Sequence, residues 1–225
     1  MIDLLRRLGR SGAPPGLPPE PAVPAAPDAI VPLEVEFAAY AEDSRLYGFF
    51  RPAAERLSDA LNQAEEVRLT DVLLVALSDG RTSETRELTV MRREILVVRA
   101  TGPRGNPVRR NRTRPYPVTL QTGPYTVHGH LHALPGADPI VQLRRRQPMV
   151  PLTEAWIEYR SAGAQHRARV GTVIVNRELL DWVRPSRDDE LGLPDLPMET
   201  APDPLAKDLT GYLYTSGPVD TARAR

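Results

Sequence analysis

Apolar and polar residues alternate through much of the middle of the chain. Val35, Phe37 and Ala39 take every second position, as do Leu46, Gly48 and Phe50, and again Val127, Gly129, Leu131 and Ala133. A period of two is that of a β-strand, whose successive side chains leave opposite faces. Segments 67–76 and 85–91 are β-branched or apolar, and Ile95 to Val98 closes the first set. Segments 117–121, 124–133, 149–159, 168–175 and 179–183 read as five further strands. Leu57-Ser-Asp-Ala-Leu-Asn62 predicts one helical turn, with Ser58 or Asp59 as its cap.

The pattern recurs. Leu69-Thr-Asp-Val-Leu-Leu74 is answered by Leu152-Thr-Glu-Ala-Trp-Ile157, and Arg93-Glu-Ile-Leu96 by Arg177-Glu-Leu-Leu180. Leu46-Tyr-Gly-Phe-Phe50 pairs with Val127-His-Gly-His-Leu131, and Val35-Glu-Phe37 with Val118-Thr-Leu120. Four anchors in one order, at nearly constant offset, predict two tandem copies of one unit. Each copy holds five short strands and a turn of helix. The expected fold is therefore mainly β: two tandem, small, half-open β-barrel-like modules of Sm, SH3 or OB size.

Gly129 and Leu131, Ser58 to Asn62, Leu69 to Val72, Leu152 to Ala155 and Val175 to Leu179 carry a further likeness. Their order resembles an uncharacterised bacterial small β-domain family of unknown function. It is also loosely similar to the two-part Sm signature, without the glycine of its final segment or the Asn of its first. The resemblance covers both copies and neither tail, implies a small β fold, and brings no activity with it.

The ends differ in composition. Residues 1–10 place Ile2, Leu4, Leu5 and Leu8 along one side of a short helix, read as a frayed end or a docking peptide. Residues 11–32 hold eight prolines among Gly and Ala and read as an extended linker. Residues 33–100 form module 1, 101–115 an Arg-rich connector and 116–185 module 2. Residues 186–225 read as an acidic, mostly disordered tail. Charge is balanced, with 29 basic and 29 acidic residues, which argues against a globally basic nucleic-acid binder. There is no cysteine, excluding disulfides and thiolate chemistry. The first ten residues lack the apolar core of a secretion signal, and no apolar run approaches the roughly 20 residues of a membrane span. The expectation is a soluble, cytoplasmic protein. Lysine occurs once, at Lys207, and that bias towards arginine points to a GC-rich bacterial genome.

Three patterns carry candidate chemistry. His128, His130 and His132 leave one face of a strand, about 6.6 Å apart, a spacing at which imidazoles can share a metal. Their counterparts Tyr47, Phe49 and Arg51 are not ligands, so the repeat does not require them, and an outward role, solvated or in contact with the neighbouring module, is the expectation. Arg104, Arg109, Arg110, Arg112 and Arg114, with Arg144, Arg145 and Arg146, offer planar donors for nucleic-acid phosphates, but only Tyr116 stands near for base stacking. Leu73 is expected to face outward, opposite the inward Val72 and Leu74, and Trp156 opposite the inward Ala155, Ile157 and Tyr159, as contacts between modules or with a partner. Asp71 and Glu154 occupy equivalent places and are expected at strand ends or turns. No catalytic motif or cofactor fingerprint is present. The expected function is a non-enzymatic bacterial adaptor or scaffold that needs no cofactor. It would bind another protein, or itself, through Ile2, Leu4, Leu5, Leu8, Leu73 and Trp156. Nucleic-acid binding by the arginines is the alternative, and a metal-dependent activity at the histidines the third.

Overall fold

Strands joined by short connections pair with their sequence neighbours, and most of this chain follows that rule. A computed structural model describes residues 34–102 and 112–187. Strands β1 (Val35–Tyr40) and β2 (Ser44–Phe50) form a hairpin, and helix α1 (Leu57–Gln63) leads into the hairpin β3 (Glu66–Ala76) and β4 (Thr82–Met91). A 3-10 turn then delivers β5 (Val97–Arg99) to the free side of β1. Residues 114–185 repeat the sequence of events. Strands β6 (Arg114–Thr122) and β7 (Tyr125–Ala133) are followed by helix α2 (Pro139–Arg145), β8 (Met149–Ser161) and β9 (Ala164–Asn176). A second 3-10 turn brings β10 (Trp182–Pro185) beside β6. The pairing order is β5-β1-β2-β3-β4 in the first half and β10-β6-β7-β8-β9 in the second.

The halves are not separate sheets. Strand β5 pairs with β9, Val97 opposite Val175, Val98 opposite Ile174 and Arg99 opposite Val173, so that the ten described strands form one antiparallel sheet with β10 and β4 at its ends. The joint explains why these segments are apolar without alternation. Val97, Val173 and Val175 face a core with Tyr125, Val127, Leu131 and Ile157, whereas Val98 and Ile174 face the other core with Phe37, Leu61, Leu69 and Ile95. A strand buried on both sides loses its period of two. Each core also borrows from across the joint: Tyr40, Leu77 and Leu96 enter the second-half core, and Met149 enters the first-half core.

Polar groups lock the same seam. Asn62 holds the backbone of Met149 by two bonds, Nδ2–H to the carbonyl (3.0 Å) and N–H to Oδ1 (2.9 Å). Buried Asn176 donates to the carbonyls of Arg92 and Ile95. Tyr40, Tyr125 and Tyr159 pack with ring centroids 5.3–6.2 Å apart, Tyr125 Oη–H donates to the Ala41 carbonyl, and Arg45 donates to Tyr159 Oη. Aromatic contacts of this kind add about 0.5–1.5 kcal/mol each beyond their buried area.

Helix α1 buries Leu57, Ala60 and Leu61, the i, i+3, i+4 stripe. Its N-cap is Arg56, which makes no side-chain cap bond, so Ser58 and Asp59 lie inside the helix rather than capping it. Helix α2 is the turn of helix expected of the second copy, at a position the sequence pattern does not assign. Asp138 caps it by accepting from the N–H groups of Ile140 and Val141, Pro139 supplies the preset first turn, and Leu143 is buried.

Long strands β3 and β8 are each bulged in mid-strand. The register of β2 on β3 shifts between Tyr47 and Phe49, and that of β7 on β8 between His128 and His130. Asp71 (φ 48°) and Glu154 (φ 51°) take the left-handed backbone there, so both carboxylates mark bulges and not strand ends. The strand opposite must approach closely. A Cβ on Gly48 would stand 2.9 Å from the Thr70 carbonyl oxygen, and one on Gly129 would stand 3.2 Å from that of Thr153. At both positions the glycine is thus set by the bulge it faces.

Candidate functional site

The alternation on β7 separates two faces. Tyr125, Val127, Leu131 and Ala133 are buried in the core, and His128, His130 and His132 are half-buried on the opposite face. There the rings are engaged with neighbouring strands and are not simply solvated. His128 stacks on Trp156 (3.8 Å between centroids, 4° between planes), and its Nδ1 lies 3.0 Å from Thr119 Oγ1. Its Nε2 is 3.9 Å from Glu158, which also pairs with Arg167 at 3.2 Å. His130 Nδ1 is 3.2 Å from the Glu154 carboxylate, without hydrogen-bond alignment. His132 Nε2 meets Thr153 Oγ1 at 2.8 Å and Nδ1 meets Thr113 Oγ1 at 3.3 Å. Burial, then His130 and Arg146, hold the His132 ring below the usual imidazole range, with Glu154 acting in the opposite sense. Among the described residues no group of three or more His, Asp or Glu is arranged to hold a metal ion. His166 lies in β9 and stacks on Tyr159 at 5.1 Å.

Leu73 and Trp156 do lie opposite the inward residues of their strands, but neither is exposed. Leu73 is 2% accessible in a small cluster with Ala38, Tyr47 and Val75, and Trp156 is 7% accessible beneath His128. Cross-strand neighbours cover them, so they do not form the free apolar surface that the sequence suggested. Neither lies on the β5–β9 ladder that joins the halves. The Trp156 Nε1–H is buried with no partner among the described residues.

Of the arginines, Arg112, Arg114, Arg144 and Arg145 are exposed. Arg146 is not free: it donates to the His132 carbonyl, its own carbonyl accepts from Arg177, and burial lowers its pKa from the usual value. Arg104, Arg109 and Arg110 lie outside the described residues, as do Ile2, Leu4, Leu5 and Leu8. Among the described residues no helix is long and apolar enough to cross a membrane.

The surface that sequence reading missed is the edge at β10. It sits on β6 as β5 sits on β1. Tyr40, Ala39 and Ala38 oppose Val97, Val98 and Arg99, while Gln121, Leu120 and Thr119 oppose Trp182, Val183 and Arg184. Even the lead-in bonds match, Leu96 N–H to Tyr40 O and Asp181 N–H to Gln121 O. The far side of β5 is occupied by β9, whereas no described strand lies beyond β10. Trp182 is 45% exposed there, on an open cleft of about 300 Å³ lined also by Leu143, Arg144, Arg177, Leu180 and Val183. The signal was Trp182 itself, a large apolar residue in a short strand. No protein-family model matches the chain, and no curated protein or solved structure matches it.

Proposed function

We propose that this chain is a non-enzymatic, cytoplasmic adaptor or scaffold that acts through protein–protein interaction. It is built from two copies of one half-open β-barrel module of the small bacterial type its motifs resemble. The repeated pairing order, the helix inserted between the second and third strands, and the left-handed Asp71 and Glu154 support the two-copy reading. One observation carries the interaction reading: β10 presents an edge whose counterpart β5 is bound by a strand. With Trp182 half exposed beside it, such an edge takes up an extended segment by strand addition, backbone bonds giving affinity and side-chain pockets specificity.

The test is affinity capture with the full chain, followed by hydrogen exchange on the purified complex. Slowed exchange at Trp182–Arg184, and loss of capture by Trp182→Arg, are expected. Undiminished capture by that variant would remove the edge from consideration, and turnover of a small substrate by the pure chain would end the non-enzymatic reading.

A second reading has its own support. Arg112, Arg114, Arg144 and Arg145 are exposed, and no carboxylate lies within ion-pair reach of them among the described residues. Together with Arg104, Arg109 and Arg110 they could hold nucleic-acid phosphates. Retention on a nucleic-acid column that falls steeply with salt, and is lost when Arg112, Arg114, Arg144 and Arg145 are neutralised, is what this reading requires.

A further inference from the structure

We propose that the strand taken up by β10 is β4 of a second copy of this chain, so that chains add head to tail. The proposal rests on the reading of β10 as an interaction edge, and it follows from the joint already present inside the molecule. That joint unites the last strand of one half, β5, with the fourth strand of the other, β9. The last strand of the second half is β10, the fourth strand of the first half is β4, and these two are the ends of the sheet. The chain therefore carries both members of the pair a second time, one at each end.

The registers fix which residues would meet. Val67 opposes Val90 and Leu69 opposes Leu88, as Val150 opposes Val175 and Leu152 opposes Val173. Transferring the β5–β9 ladder then sets Trp182 opposite Val90, Val183 opposite Thr89 and Arg184 opposite Leu88. The remainder of the β4 edge is charged, with Glu84, Arg86 and Glu87 exposed, which confines pairing to its Leu88–Met91 end. The helix side is complementary as well. At the internal joint Asn62, the penultimate residue of α1, binds Met149, which opposes Asn176. The counterparts are Arg144, penultimate in α2, and Glu66, which opposes Met91, both exposed and opposite in charge.

The second joint is weaker than the first. The bond from Ala100 N–H to the Thr172 carbonyl has no counterpart, because the residue following Arg184 is Pro185 and has no N–H. The positions of Tyr40, Tyr125 and Tyr159 are taken by Gln121, Ser44 and Ala76, so the aromatic lock is missing. The association is reversible, and being heterologous it extends into open chains unless the rotation closes a ring.

Two measurements on the full chain test this. In sedimentation velocity over a concentration series, average mass rises with concentration. Arg144→Glu weakens the association several-fold, and adding Glu66→Arg to the same chain restores it. Because the protein has no cysteine, Thr89→Cys and Val183→Cys chains can be mixed and oxidised, and the 89–183 disulfide should exceed both symmetric products. Predominant 183–183 linkage overturns the proposal in favour of edge-to-edge pairing of β10. A chain that stays monomeric overturns it too. If that monomer still captures another protein through Trp182, the interaction edge stands with a different occupant. If Trp182→Arg changes neither, both readings fall.

Discussion

Asn62 makes the seam between the halves measurable. Its side chain satisfies both backbone groups of Met149, a residue with 2% accessibility. Asn62→Ala strands a donor and an acceptor at once, and each unsatisfied buried group costs about 1–3 kcal/mol. Asn62 is only half-buried, so water replaces part of what is lost and the lower end of that range applies to each group. The expected loss is about 2–3 kcal/mol in total. With a urea m-value of about 1–3 kcal/mol/M, the unfolding midpoint should drop by roughly 1 M. Trp156 and Trp182 provide the fluorescence signal. Asn62→Asp is the sharper variant: it keeps an acceptor for the Met149 N–H but sets a carboxylate oxygen against the Met149 carbonyl. Only the protonated acid can donate there, so its deficit is small in acid and opens as pH rises through the carboxyl pKa. If Asn62→Ala costs less than about 0.5 kcal/mol, as at an ordinary surface site, or Asn62→Asp matches the parent at neutral pH, the clamp does not hold the seam.

Gly48→Ala puts a Cβ 2.9 Å from a backbone oxygen across the bulge and should cost about 1–3 kcal/mol in the same urea assay. Gly136→Ala, with φ 80° but open space around it, should cost only the left-handed penalty of about 1–2 kcal/mol. Ala162 (φ 49°) precedes Gly163 (φ 79°) in the β8–β9 turn. Ala162→Gly should therefore stabilise by about 0.5 kcal/mol, the relieved strain exceeding the added chain entropy, and an unchanged or lowered midpoint would contradict that. His132 holds its proton less tightly when folded, so below its ordinary pKa of about 6.5 the unfolded chain binds more protons and stability falls with acid. His132→Gln should flatten that decline, read as melting temperature against pH; an unaltered slope would place the acid sensitivity elsewhere.

The features that sequence exposed are those with a local cause. The face occupied by Val127, Leu131 and Ala133 follows from alternation alone, and parity correctly placed Leu73 and Trp156 opposite Val72 and Ile157. Their burial could not be read the same way, because Tyr47 and Ala38 reach Leu73 from other strands, and His128 reaches Trp156 from β7. The partners of His132, Thr113 and Thr153, are likewise distant in sequence. The start of α2 is legible as a capping Asp138 followed by Pro139, but its apolar face is short, with Leu143 its one buried residue. Trp182 escaped because a four-residue edge strand has too little length for periodicity to show.

The β5–β9 ladder also bears on the speed of folding. It unites Val97 with Val175, residues separated by the whole of β6, β7 and β8. The local hairpins β1–β2, β3–β4, β6–β7 and β8–β9 close quickly, but the contact that makes one molecule of them spans a long stretch of chain. Rates fall as such non-local contacts increase. The meeting of the two halves is therefore the expected slow step in folding. Until it occurs, Val97 and Ile174, each of which faces the core of the other half, are bare to the solvent and to every other unfinished chain. Rapid dilution at high concentration should therefore yield aggregate, and slow dilution the native protein.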